Sequence, residues 1–254
     1  MSSINNSAIG DSWEDVRREL FTPEEIVESD VRVAGIGVNL RTGVTWKRYE
    51  SRQDWLSNRQ GIGASDAGAI CGFGFKTHME LWEEKTGIRI PKDIGDDERV
   101  SFGNVVEEPM RALYRVMYPQ YTLDFAPYTV LRRNDHHQFM FYTPDGWLTE
   151  KETGRRGLWE CKSTTCTSGK DWEKWRDQIP QGYFCQVLHG MYVGGFDFAD
   201  LFAILLNHER DATIRRYHFE RAEHEADISW LLSQEEEFWK SVQTGKRPGA
   251  PIRF

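Results

Sequence analysis

The sequence predicts an α/β fold, a mixed central sheet flanked by helices, and three observations carry that expectation. Of 254 residues, 39% are hydrophobic and 13% aromatic, the composition of a chain able to bury a substantial core. Helical periodicity over residues 100–117 gives way to short runs of strand-forming residues from 122 to 163, and helical spacing returns at 181. The order helix, meander, helix, strand pair, helix is that of a sheet covered on its faces by helices.

Residues 1–50 read as an N-terminal extension. It comprises a helix over 13–21, a second helix start at Thr22-Pro23-Glu24-Glu25 with proline in the first turn, and the alternating stretch VRVAGIGVNLRTGVTWKRY as a hairpin or loop. Residues 51–254 form the main domain. A short helix over 54–58 runs into RQGIGASDAGAICGFG, where Ser65 suits the cap of the next helix, and helical period follows over 79–86. The strands TLDFAPYTVLRR, HHQFMFYT, WLTE and GLWECKS come next, with the turn Pro144-Asp145-Gly146 among them. A helix over 181–193, the strands DFADLFAILLN and TIRRYHFE, and an amphipathic helix over 221–243 complete the chain.

No apolar run reaches the roughly 18 residues that span a bilayer, and the first 20 residues have neither a basic start nor an apolar stretch, so the expected location is the cytoplasm. The four cysteines, Cys71, Cys161, Cys166 and Cys185, contain no C-x-x-C pair, which argues against a zinc ribbon, a disulfide framework and an iron–sulfur cluster. A net charge of −8 argues against holding nucleic acid by bulk charge alone. The acids are concentrated at the two ends, however, and residues 32–219 carry 25 charges of each sign.

The segment GLWECKS places Leu158, Glu160 and Lys162 on one face of a strand and Trp159 and Cys161 on the other. Alone, this is also the pattern of an ion pair on a half-exposed strand. Asp145 alters the weighing: it opens a strand fifteen positions before Glu160, and the polar loop 150–156 reverses the chain so that the two carboxylates and Lys162 converge at one end of a sheet. Two carboxylates suit Mg2+, a hard cation that completes its shell with water and phosphate oxygens. A lysine beside the metal can orient or deprotonate a water, its pKa lowered by burial and the cation.

These motifs, in order from 55 to 193, resemble those of the lambda-exonuclease, or YqaJ, family of viral recombination exonucleases, within the PD-(D/E)xK nuclease superfamily. The resemblance implies a restriction-endonuclease-like fold. In W-L-S-N-R-Q-G-I-G-A-S-D the family's 5′-phosphate grip falls on Arg59 and Ser65, and in F-G-N-V-V-E its helix-borne glutamate falls on Glu107. Glu108 points about 100° away on a helix. The family's additional aspartate falls on Asp135, which is equally suited to a plain turn. Asp145, Glu160 and Lys162 match the superfamily core, with the backbone carbonyl of Cys161 as the implied main-chain ligand. Y-F-C-Q-V-L-H-G-M-Y resembles the family's glutamine helix and places that residue at Gln186, while Tyr183, one turn earlier, suits core packing.

The implied activity is a Mg2+-dependent, two-metal deoxyribonuclease, with Mn2+ able to substitute. It would degrade linear double-stranded DNA from 5′ ends, release mononucleotides and leave 3′ single strands. The implied setting is a toroidal homotrimer working with a single-strand annealing protein, encoded by a phage or prophage in a bacterial cytoplasm. Two alternatives stay open: an endonuclease of the same fold, and a non-catalytic DNA-end-binding protein. The chain departs from the lambda protein in a longer N-terminal segment and a longer loop before the E-x-K strand.

Overall fold

The computed structural model describes residues 30–33, 36–39, 42–92, 98–133 and 135–249. The strands are β1 (Asp30–Val33), β2 (Ile36–Asn39), β3 (Val44–Arg48), β4 (Ile62–Gly63), β5 (Tyr121–Asp124), β6 (Thr129–Arg133), β7 (Met140–Tyr142), β8 (Gly146–Glu150), β9 (Arg156–Thr165), β10 (Phe198–Leu206) and β11 (Ala212–Glu220). The helices are α1 (Arg52–Ser57), α2 (Ala64–Ile70), α3 (His78–Lys85), α4 (Glu98–Met117), α5 (Gly169–Glu173), α6 (Gln181–Gly194) and α7 (Glu225–Thr244). The helices expected before residue 30 lie outside the described residues.

Among the described residues the strands make two mixed sheets, β1-β2-β3-β6-β7-β4 and β11-β10-β9-β8-β5, where a single central sheet was expected. The split falls at Pro144. Pro144 has no N–H to continue a ladder, and the chain leaves the first sheet after Tyr142 and enters the second at Gly146. The consecutive strands β7 and β8 therefore do not pair, although neighbours in sequence usually do. From the stretch 30–48, β3 runs antiparallel to β6, from Val44↔Arg133 to Arg48↔Thr129.

Helix α6 is buried between the sheets. Cys185, Val187, Leu188, His189, Gly190, Met191 and Val193 are all buried, the pattern of a helix with apolar neighbours on most sides. It packs on β6 and β7 of the first sheet and on β9 and β10 of the second. It meets α2 at paired glycines: a Cβ on Gly68 would lie 2.9 Å from the Cα of Gly182. Opposite faces of β9 serve different cores, Leu158 packing on the α6 side and Trp159 and Cys161 packing with Met110 and Tyr114 of α4.

Two local expectations change. Gly63, not Ser65, caps α2, because the Asp66 carboxylate accepts the Gly63 N–H at 3.0 Å. The closing helix is interrupted, with a 3-10 turn over Arg221–Glu223 preceding α7. Helix α5, which was not anticipated, is capped by the Ser168 side chain.

Buried charges pin the helices. Asp200 on β10 is fully buried and binds the Tyr114 hydroxyl of α4, Arg216 Nε at 2.5 Å and His218 Nδ1 at 2.7 Å. His189 of α6 faces Glu235 of α7 at 2.8 Å and the Phe141 carbonyl at 2.9 Å. Hydrogen bonding to Asp200 raises the pKa of His218 above its ordinary value. A raised folded-state pKa gives stability that is fully present below the unfolded value and is lost as pH rises through the folded one. The gap in melting temperature between the wild type and His218→Ala should therefore be largest near about pH 6 and shrink toward about pH 9; a gap constant across that range would contradict this assignment.

Candidate active site

The register of β8 against β9 pairs Gly146 with Trp159, so Asp145 precedes the last pair and sits beside Glu160 at the point where β9 continues without β8. Asp145 Oδ2 accepts the Cys161 N–H at 3.0 Å, which ties the turn to the strand.

Glu160 is 2% exposed, and its carboxylate is held from three elements. Oε1 receives Lys162 Nζ at 2.6 Å and Gln186 Nε2 at 2.5 Å, and Oε2 receives the Tyr142 hydroxyl at 2.8 Å. Lys162 also lies 5.3 Å from the centre of the Tyr183 ring, so Tyr183 borders the site as well as the core. Glu107 reaches the cluster from α4 on the other side of the sheet. Its side chain is 27% exposed against 67% for Glu108, and Arg111 Nη1 lies 3.5 Å from it and 2.9 Å from the Asp145 carbonyl.

The electrostatics show carboxylates crowded out of water. Burial, then the neighbouring Glu160, raises Asp145 well above the usual carboxylate range. Burial likewise raises Glu107, with Arg111 opposing and Glu160 adding to the effect. A hard divalent cation relieves such repulsion, and carboxylate and carbonyl oxygens are the donors it takes, so Glu107, Asp145 and Glu160 fit one in kind. For Lys162, burial acts downward, but Glu160 and Asp145 outweigh it and the pKa is raised.

Arg59 stacks on Trp55 at 4.4 Å and faces Phe141 at 5.6 Å, and its buried Nε has no hydrogen-bond partner. Burial lowers its pKa, with Asp66 partly offsetting. Phe141 precedes Tyr142 in β7, and the strand pleat turns the two side chains to opposite faces, so the Arg59 stack and the Tyr142–Glu160 contact share a strand but not a face. Ser65 is exposed in the first turn of α2.

Asp135 is engaged elsewhere. It pairs with Arg133 at 2.5 Å and accepts the His137 N–H at 2.9 Å. Among the described residues, the His, Cys, Asp and Glu side chains whose ligand atoms gather within 4.8 Å are Asp135, His136 and His137. Sequence reading missed Tyr142 and Arg111. Arg111 was findable, one helical turn after Glu107, whereas no sequence signal points Tyr142 at Glu160.

Tyr142→Phe removes a hydrogen bond to a buried charge, and in chelator it should lower the unfolding free energy by about 1.5–3 kcal/mol in a denaturant titration. An unchanged midpoint would show that the hydroxyl contributes nothing to holding Glu160.

A curated relative, the uncharacterized protein YqaJ of Bacillus subtilis (strain 168), is 29% identical over 201 residues. The alignment covers 77% of this chain and 57% of that protein. A solved alkaline exonuclease, LHK-Exo of Laribacter hongkongensis, superposes with a TM-score of 0.57 over 76% of this chain and 94% of that one, at 15% identity. This establishes the fold class as α/β of the restriction-endonuclease-like kind. The sequence model of the YqaJ-like viral recombinase domain matches residues 54–197. That span is more than half of the chain and contains the Glu160 cluster, and the chain belongs to the YqaJ-like viral recombinase family.

Proposed function

We propose that the protein is a divalent-metal-dependent exonuclease that degrades linear double-stranded DNA from its 5′ ends, releasing mononucleotides and leaving 3′ single strands. The observation that carries this reading is the convergence of Asp145 and Glu160 at the β8–β9 fork, with Lys162 and Gln186 on the Glu160 carboxylate. Family membership and the fold shared with an alkaline exonuclease support it.

Glu107, Asp145, Glu160 and the Cys161 carbonyl would hold the metal, Mg2+ being the hard cation their oxygens favour and Mn2+ an alternative. A divalent ion held there would supply polarisation of the scissile phosphate and stabilisation of the leaving oxygen. Lys162 and Gln186, both donors to Glu160, orient the water that attacks. Tyr142 keeps Glu160 fixed. Arg59, with an unpaired Nε on an aromatic shelf, and the exposed hydroxyl of Ser65 grip the terminal phosphate and set the register of cleavage. A ring of three copies around the duplex would retain DNA despite a net charge of −8, and its single-stranded product suits an annealing protein as partner. Action on DNA places the work in the cytoplasm of a bacterial host, and among the described residues no helix is long and apolar enough to cross a membrane.

The test compares linear duplex carrying a 5′-phosphate or a 5′-hydroxyl, with Mg2+ or chelator, beside a closed circle. Metal-dependent loss of the phosphorylated linear DNA alone, with mononucleotides released, is expected. Cutting of the circle would indicate an endonuclease, and absence of hydrolysis a DNA-end-binding protein. Lys162→Ala should slow hydrolysis by about 10²–10⁴-fold while sparing end binding. Arg59→Ala should erase the preference for phosphorylated over hydroxyl ends.

A further inference from the structure

Beyond this reading, we propose a second metal site, separate from the carboxylate cluster, in which His136, His137 and Glu236 bind a transition-metal dication of the Zn2+ class. His136 and His137 are consecutive in the turn between β6 and β7, with ring centres 3.9 Å apart. Glu236 comes from α7, and its Oε1 lies 2.5 Å from His137 Nε2 and 4.0 Å from His136 Nε2. Zinc bonds of about 2.0–2.2 Å place tetrahedral ligands roughly 3–3.5 Å apart, a spacing bracketed by those two distances. The adjustment falls on groups with open space around them, since the His136 side chain is 77% and the Glu236 side chain 50% exposed.

The surroundings are those of a ligand site. His137 is 4% exposed, and its Nδ1 faces the Tyr192 hydroxyl at 2.5 Å. In the metal-free chain Nε2 donates to the Glu236 carboxylate; when a metal takes the place of that proton, the Tyr192 hydroxyl can accept from Nδ1–H, and an outer partner of this kind orients and strengthens a histidine ligand. Asp135 orients the turn: it accepts the His137 N–H, and Arg133, its ion-pair partner, also lies 4.6 Å from the Tyr192 ring. The three ligands open onto a cleft of about 250 Å3, walled by the stacked rings of Phe139 and Trp239, with room for a water as fourth ligand. Two imidazoles and one carboxylate select Zn2+, Ni2+ or Co2+ over Mg2+.

The site's contacts are separate from those of the hydrolytic cluster: Asp135 binds Arg133 and His137, whereas Glu160 binds Tyr142, Lys162 and Gln186. A metal here clasps the turn to α7 across 99 positions of sequence. The residue before Glu236 is Glu235, which holds His189 of α6, so the clasp tightens the helix that presents Gln186.

The experiment measures Zn2+ bound by the metal-stripped full chain in excess Mg2+, by competition with a chromophoric chelator, and the melting temperature with and without Zn2+. One equivalent bound at low-micromolar Kd or tighter, a rise in melting temperature, and loss of both by about tenfold or more in His136→Ala and Glu236→Gln are expected. Retention of both in Asp145→Asn is also expected. His136 is exposed, so its variant should melt as the wild type does without metal. The proposal is overturned if the wild type binds no Zn2+, if His136→Ala and Glu236→Gln bind it unchanged, or if only Asp145→Asn loses it.

Discussion

A carboxylate at 2% exposure is the constraint around which this molecule is organised. A buried charge is tolerated only when its oxygens are satisfied, and Glu160 draws its donors from three separate elements: Tyr142 from the first sheet, Lys162 from its own strand and Gln186 from the central helix. Satisfying Glu160 therefore fixes how the two sheets and α6 sit on one another. The same contacts that stabilise it set the geometry of the candidate chemistry.

The helices that frame the cluster are anchored in the same way. Tyr114 of α4 reaches the buried Asp200, which keeps Glu107 near the β8–β9 fork, and the His189–Glu235 pair locks α6 against α7. Each tether is a buried polar contact placed inside an apolar core. Such contacts contribute little net stability compared with apolar packing, but breaking one leaves a costly unpaired group. They act as registers, admitting one docking of each helix rather than a family of slid alternatives.

Crowding of Asp145, Glu107 and Glu160 is the electrostatic counterpart of this design. Folding energy spread over the whole molecule holds like charges together, and the repulsion stored there is what a divalent cation would relieve. Arg111, reaching from Glu107 to the Asp145 carbonyl, supplies part of the compensating positive charge.

Local pattern made most elements legible. Apolar runs marked β9 and β10, period-two alternation marked β11, and helical spacing marked α4 and α6, because each pattern depends on which residues of a single segment face water. Chemistry at short spacing was legible too, since the strand pleat puts Glu160 and Lys162 on one face whatever surrounds them. The division into two sheets was not legible, because pairing joins segments distant in sequence and Pro144 could equally have closed a hairpin. The partners of Glu160 and the position of Asp135 were decided the same way. By itself, then, the sequence determined the elements, the E-x-K face and the residues able to act. Only the tertiary structure decided that Tyr142 and Gln186 meet Glu160, and that Asp135 joins His137 rather than Asp145, because burial and long-range contact belong to the folded chain and to no single stretch of it.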